Sequence, residues 1–206
     1  MLLSQDEMRA PMVPTLCRTL GVKGHRPLVG TRDNKDLLHV FGSVNAVNGR
    51  LHTNTLASEA KTLRDQRLAG NRQQVSKTRR MTDAFVRHLQ NVAAAYPADR
   101  HEQVVLVIDN APWHRGTPVR EVLEEHKHLR LYRLPPYSPK LNVIERLWKW
   151  LRYRATHNRL FASLKDLKSS VAAATGYLRR VPRRVISLVG CWPQPPTKNR
   201  TSSGGV

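Results

Sequence analysis

The sequence predicts an α/β fold, a mixed β-sheet flanked by helices. Three features carry that reading. Gln103-Val104-Val105-Leu106-Val107-Ile108-Asp109 is an unbroken, β-branched run, the pattern of a strand covered on both faces. Asn48-Gly49 separates two strand-like stretches, as in a hairpin. Strands then alternate with segments whose apolar residues recur at helical spacing, an order that builds a sheet with helices packed on it. At 206 residues, one domain is enough.

Taken in order, residues 1–8 read as a short strand, followed by a stretch broken at Pro11 and Pro14 and a turn at Gly21-Val22-Lys23-Gly24. Leu37–Val47 is the next strand, with Asn48-Gly49 supplying two positive-φ residues and Arg50–Leu56 returning antiparallel. Residues 57–75 are polar and aperiodic, as in a surface loop or frayed helix. Met81, Phe85, Leu89, Val92 and Tyr96 place a helix over 76–96, closed by Pro97. After the buried strand, Pro118 opens a helix over Thr117–His128, and Leu129–Leu134 forms a short strand. Ser138 and Pro139 are suited to cap and start a helix carrying Ile144, Leu147, Trp148 and Leu151 on one face. A last helix starts at Ser163, with Asp166 placed for a capping box and Leu164, Leu167, Val171, Ala174 and Leu178 inward. The division expected is a folded domain over 1–185 and a basic, Pro-rich flexible tail over 186–206.

Lys and Arg number 35 against 15 acids, a net charge of +20, and arginine outnumbers lysine 25 to 10. Thirteen basic residues face a single acid, Asp166, between Arg146 and Val206. Solvated charged faces usually mix signs, so this imbalance points to a polyanion, bound through forked guanidinium–phosphate contacts. A GC-rich genome raising arginine everywhere is the plainer alternative. No apolar run approaches the ~18 residues of a membrane span, and the N-terminus turns acidic at Asp6-Glu7 where a signal peptide is apolar. Two cysteines, Cys17 and Cys191, make neither a zinc framework nor a disulfide scaffold, which fits a reducing compartment.

Acids in so basic a chain are informative. Asp109 ends the buried strand, where side chains point into a ligand crevice, although Asp-Asn after a strand is also ordinary turn chemistry. Asp6 lies in the first strand, and its neighbour Glu7 must face the opposite way. Glu145 lies one turn into a helix, sharing a face with Asn142, Lys149 and Arg152, and on its own reads first as an i,i+4 partner of Lys149 on a solvated face and only second as a site acid. Three carboxylates from different elements suit hard cations such as Mg²⁺ or Mn²⁺.

Two stretches carry a resemblance. Leu106-Val107-Ile108-Asp109-Asn110-Ala111-Pro112-Trp113-His114-Arg115 and Leu134-Pro135-Pro136-Tyr137-Ser138-Pro139-Lys140-Leu141-Asn142-Val143-Ile144-Glu145-Arg146-Leu147-Trp148-Lys149-Trp150-Leu151 resemble the catalytic signature of the IS630 transposases, in the Tc1/mariner group of DDE transposases. The 35 residues between Asp109 and Glu145 fit that signature. Gly24-His25-Arg26-Pro27 and Val40-Phe41-Gly42-Ser43-Val44-Asn45 are similar to family stretches after its first acid, and the likeness runs from about Gln5 to Leu178.

The resemblance implies an RNase H-like fold and a metal-binding catalytic triad of Asp6, Asp109 and Glu145 holding Mg²⁺ or Mn²⁺, two ions in the family pattern. Asn110, His114 and Asn142 match positions near the site. For His114, positioning a loop is at least as good a reading as proton transfer. Trp113, Trp148 and Trp150 read as packing before base stacking. Arg115, Lys140, Arg146, Lys149, Arg152 and Arg154 are the candidates for phosphate contacts. The implied partners are transposon-end and target DNA and a second copy of the chain, in the nucleoid of a bacterial cytoplasm. The chain departs from its relatives in lacking a preceding helix-turn-helix region, in having five residues before Asp6, in lacking a tryptophan before its Gly-x-Lys-Gly turn, and in carrying Val143 where proline is common. These gaps suggest a shortened first strand and a truncated or split frame, with the recognition half either a separate helix-turn-helix chain or lost. A non-catalytic DNA-binding remnant, or a structure-selective nuclease on the same fold, are the alternatives.

Overall fold

The computed structural model describes residues 1–25, 27–31, 35–59, 76–136, 138 and 141–190. Five strands form one mixed sheet: β1 (Leu2–Pro11), β2 (Leu37–Val44), β3 (Leu51–Ser58), β4 (Val104–Ile108) and β5 (Leu129–Arg133), in the order β3-β2-β1-β4-β5. β1 pairs antiparallel with β2, and β2 with β3, whereas β4 lies parallel to both β1 and β5. Five helices flank it: α1 (Lys77–Ala95), α2 (Thr117–Glu125), α3 (Ile144–Ala155), α4 (Leu164–Arg180) and α5 (Pro182–Val189).

The sheet has a core on each face. Leu3, Phe41, Val104, Leu106 and Ile108 pack with α1 and α2 through Phe85, Leu89, Val92 and Val122. Met8, Ala10, Leu38, Val40 and Val44 pack with α3, α4 and α5 through Ile144, Trp148, Leu167, Leu178 and Val185. The parity of β1 decides which face each residue meets: odd positions turn to α1 and even positions to α3.

Several local expectations change. β1 runs through Asp6 to Pro11, so the first strand is ten residues long and Asp6 lies in its middle. In the hairpin only Gly49 has positive φ, at 71°, and Asn48 does not. The loop is wider than a two-residue turn because Asn45 organises it, its side-chain oxygen accepting from the backbone N–H of Val47 and of Asn48. β4 is covered fully on one face only: Val105 and Val107 stay half-buried because α3 and α4 lie over β1, β2 and β3. Ser138 donates to the Pro136 carbonyl, Pro139 lies outside the described residues, and α3 begins at Ile144. The 57–75 loop yields to β3 at Ala57 and Ser58, and residues 60–75 lie outside the described residues.

The helices with both a cap and an apolar stripe match closely. Ser76 caps α1 through the Arg79 N–H, and Ser163 and Asp166 form the capping box of α4. α5 was hidden by Arg183-Arg184, yet Pro182 occupies its first turn and Val185 and Val189 are buried. Folded structure therefore extends past residue 185 as far as Val189, and the rest of the expected tail, 191–206, lies outside the described residues.

Candidate active site

Asp6 is an even residue of β1, so it faces α3. Its antiparallel partner across the sheet is Gly42. The Trp148 indole rests on that glycine, and its Nε1–H donates to Asp6 Oδ2 at 3.1 Å. A β-carbon at position 42 would lie 2.7 Å from Trp148 Cζ2 and 3.3 Å from Ile144 Cδ1. Gly42→Ala is therefore expected to overpack this contact and cost about 1–3 kcal/mol in urea unfolding. An unchanged midpoint would show that the ring shifts freely.

Asn142 fastens the start of α3 to β1. Its Nδ2–H donates to the Gln5 carbonyl at 3.0 Å, and its Oδ1 accepts from the Ser4 hydroxyl. The Asn142 carbonyl accepts from the Glu145 N–H at 3.2 Å. Glu145 thus stands in the first turn of α3, exposed, where the helix dipole favours an anion. Among the described residues Glu145 forms no ion pair, so the alternative pairing with Lys149 is not made.

Register brings the second acid alongside. Leu2, Leu3 and Ser4 pair with Val105, Leu106 and Val107, and continuing that offset sets Asp109 beside Asp6 at the carboxyl end of β4. Asp109 Oδ1 accepts from the Ala111 N–H at 2.9 Å and from His114 Nδ1 at 3.1 Å. The turn-cap reading of Asp109 and the crevice reading both hold. Asn110 donates to the Leu134 carbonyl at 2.7 Å, tying the exits of β4 and β5 together. Asp6, Asp109, Asn110, Asn142 and Glu145, with Leu134, Pro135, Pro136 and Ser138, line one open cleft of about 470 Å³.

His114 lies behind Asp109, fully buried, with Phe85 against it at 4.3 Å between ring centroids. Its Nε2 meets Glu7 Oε1 at 2.9 Å, and Glu7 also accepts from Gln5 Nε2. Burial pushes the imidazole pKa down, but hydrogen bonds to Asp109 and Glu7 outweigh it and raise it to about 9. His114 is then an imidazolium donating from both nitrogens, and Arg133 holds its carbonyl at 2.8 Å. Glu7, Asp109 and His114 offer ligand atoms within 4.8 Å of one another. Without a cation these three form an ion-paired relay, and a cation bound there would have to displace a proton from His114.

Glu7→Gln tests the relay. The neutral amide keeps an acceptor but removes the counter-charge, so about 1–3 kcal/mol of stability is expected to be lost near pH 6. The raised pKa of His114 contributes stability that is whole below the ordinary histidine pKa of 6.5 and disappears as pH rises through about 9. The penalty should shrink across that window, and a penalty independent of pH would rule the imidazolium out.

Asp6 is held differently. Burial, then the charge of Glu7, with further contributions from Glu145 and Asp109, push its pKa up to about 7, against an opposing backbone hydrogen bond. The cleft therefore concentrates carboxylates that repel one another. Oxygen-only donors in that arrangement fit a hard divalent cation, which would relieve the repulsion.

The basic candidates divide. Arg146 donates to the Val189 carbonyl at 3.3 Å, closing the end of α5, so its guanidinium is engaged structurally. Arg115, Lys149 and Arg154 are exposed and Arg152 is half-buried, while Lys140 lies outside the described residues. Trp148 is core, Trp113 packs beside His114, and Trp150 stacks on Tyr177. Sequence reasoning missed Ser4, Gly42 and Arg133, and set Glu7 aside as facing away. The Gly42-Ser43 pair within a strand was the one available sign of a close approach.

Residues 66–168, half of the chain, match the family described as DDE superfamily endonuclease. The chain belongs to that family. Among relatives of this DDE domain, the uncharacterized protein y4pE/y4sA of Sinorhizobium fredii (strain NBRC 101917 / NGR234) is 31% identical over 107 residues, 52% of this chain and 75% of that protein. The insertion element IS630 uncharacterized 39 kDa protein of Shigella sonnei is 31% identical over 87 residues, 42% of this chain and 25% of that protein. Among solved structures, a pre-cleavage Mos1 transpososome superposes with TM-score 0.55 at 15% identity, covering 94% of this chain and 57% of that one. The Mos1 mariner paired-end complex with Mn gives 0.54 at 16%, covering 94% and 56%. At that identity the likeness shows the fold alone, an RNase H-like mixed sheet flanked by helices. The DDE domain spans a little over half of the Mos1 chains. No helix among the described residues is long and apolar enough to cross a membrane.

Proposed function

We propose that this DDE domain is the catalytic part of a DNA transposase, cutting a phosphodiester at an element end and joining the freed 3′-hydroxyl to target DNA. The observation that carries the reading is the convergence of Asp6, Asp109 and Glu145 on one cleft in a chain of net charge +20. Asp6, Asp109 and Glu145 are the residues that would hold divalent cations, Mg²⁺ or Mn²⁺ and two in number. Such cations supply Lewis-acid stabilisation of the phosphate under attack and make its water or hydroxyl nucleophile available at neutral pH.

The protein's part is to fix the carboxylates. Trp148 holds Asp6, the imidazolium of His114 holds Asp109, and Asn142 sets Glu145 at the head of α3. Arg115, Lys140, Lys149, Arg152 and Arg154 would contact phosphates along the bound strand, giving affinity without base selectivity. Target choice at TA, assembly as a dimer on two element ends, a separate recognition chain and a place on the bacterial nucleoid complete the proposal.

The test uses purified protein, labelled inverted-repeat DNA and Mn²⁺. Nicks at the element end that chelation abolishes are expected, and failure to find any metal-dependent product would favour a DNA-binding remnant. Binding should also weaken about 10³-fold or more between roughly 50 and 200 mM salt if six or more phosphates are neutralised. A flat response would argue against a phosphate-dominated contact.

A further inference from the structure

A second hollow lies away from the acidic cleft. It has a volume of about 840 Å³ and opens between the second half of α3, α4 and the start of α5. Its aromatic wall is Trp150, Tyr153 and Tyr177. Trp150 and Tyr177 stack with centroids 5.9 Å apart at 20°, while Tyr153 is 66% exposed and Tyr177 41% exposed. Arg154, Arg159 and Arg184 join Ser170, Ala173 and Ala174 in the lining, with no carboxylate among them, and Arg159 Nη1 donates to Ser170 Oγ at 3.3 Å. From Arg146 onward the sole acid is Asp166, and its Oδ2 is engaged by the N–H and hydroxyl of Ser163. The three guanidinium groups thus have no acidic partner among the described residues.

Open aromatic faces set among unpaired guanidinium groups call for a ligand that is flat, apolar on its face and anionic at its edge. We propose that this hollow binds an unpaired DNA segment, with a base stacked on Tyr153 or Tyr177 and flanking phosphates on Arg154, Arg159 and Arg184. Duplex DNA keeps its base faces stacked inside and could offer only its phosphates. An unpaired strand offers both, and stacking on aromatic side chains accepts any base. The location fits a strand leaving the cleft: Tyr153 is eight residues beyond Glu145 on the same helix, ~12 Å along its axis. The choice of DNA rests on the proposed strand cleavage, which releases unpaired ends.

The test measures fluorescence polarisation of the full chain with a blunt duplex and with the same duplex carrying a single-stranded tail of about six nucleotides. The wild type should prefer the tailed duplex. Tyr153→Ala should lose about tenfold in tailed affinity, within what one stacked base contributes, and Tyr153→Phe should retain it. Bromodeoxyuridine in the tail should photocrosslink to Tyr153, Trp150 or Tyr177. Because Tyr153 is exposed, thermal unfolding of the variants should match the wild type. A tail preference unchanged in Tyr153→Ala, or crosslinks confined to the cleft, would overturn the proposal. So would a change of oligomeric state without a change in DNA binding, which would make the hollow a contact between copies. Loss of tail preference without any metal-dependent cleavage would leave the hollow standing and remove the cleavage reading. Cleavage with tail binding unaltered by Tyr153→Ala would do the reverse.

Discussion

Glu145→Gln and Asp109→Asn are each expected to lower metal-dependent strand cleavage by about 10³-fold or more while duplex binding persists. Each swaps an anionic oxygen donor for a neutral amide in a set of three, and the lost stabilisation of charge at the phosphate is several kcal/mol, of which about 4 correspond to a factor of 10³. The two variants differ in what else they disturb. Glu145 is exposed and forms no ion pair among the described residues, so its replacement should leave the unfolding midpoint where it is. Asp109 also faces the buried imidazole of His114 at 3.1 Å, so Asp109→Asn should lose some stability as well as activity. Glu145→Gln is the cleaner experiment. Cleavage within tenfold of wild type in that variant, in Mg²⁺ and in Mn²⁺, would remove the cleft from consideration.

Legibility in the sequence followed physical range. α1 and α4 could be read because Ser76, Ser163 and Asp166 act within three residues of their targets and the apolar stripes repeat every turn. The acids stood out against a chain of net charge +20, and the signature around Asp109 and Glu145 named their family. What stayed hidden is what long-range pairing creates. Trp148 and Asp6 are 142 residues apart, and Glu7 and His114 are 107 apart. Nothing local marks an indole as the donor to a carboxylate, or a glycine as the seat for that indole. β1 looked short for a related reason. Ser4, Gln5 and Asp6 are buried in the central strand, where an apolar run is the usual sign; Asp6 lines the cleft, while Ser4 donates to Asn142 and Gln5 to Glu7. α5 shows the opposite failure: its burial rests on Val185 and Val189 alone, and the adjacent arginines made the segment read as tail.

Asp6→Asn should abolish cleavage and stabilise the metal-free protein, and the size of that gain should depend on pH. The folded-state pKa of Asp6 is raised to about 7 by burial and by the charge of Glu7, from an ordinary 3.8. Below 3.8 the carboxyl is neutral in both folded and unfolded chains and carries no penalty. As pH rises toward 7 the unfolded chain ionises Asp6 while the folded one resists, so stability falls through that interval and the penalty is complete above it. Three pKa units correspond to about 4 kcal/mol, an upper bound that relaxation and water reduce. Asparagine carries no such penalty and can still accept from Trp148, so its melting temperature should exceed that of the wild type by several degrees at pH 8 and by little at pH 4. Saturating Mn²⁺ should narrow or reverse the difference, because only the wild type regains a full set of anionic donors. An Asn variant with the same advantage at both pH values would mean that Asp6 ionises in the fold without penalty, and one whose advantage survives Mn²⁺ intact would mean that Asp6 holds no cation. A stable fold and a charged cleft would then not be in opposition in this protein.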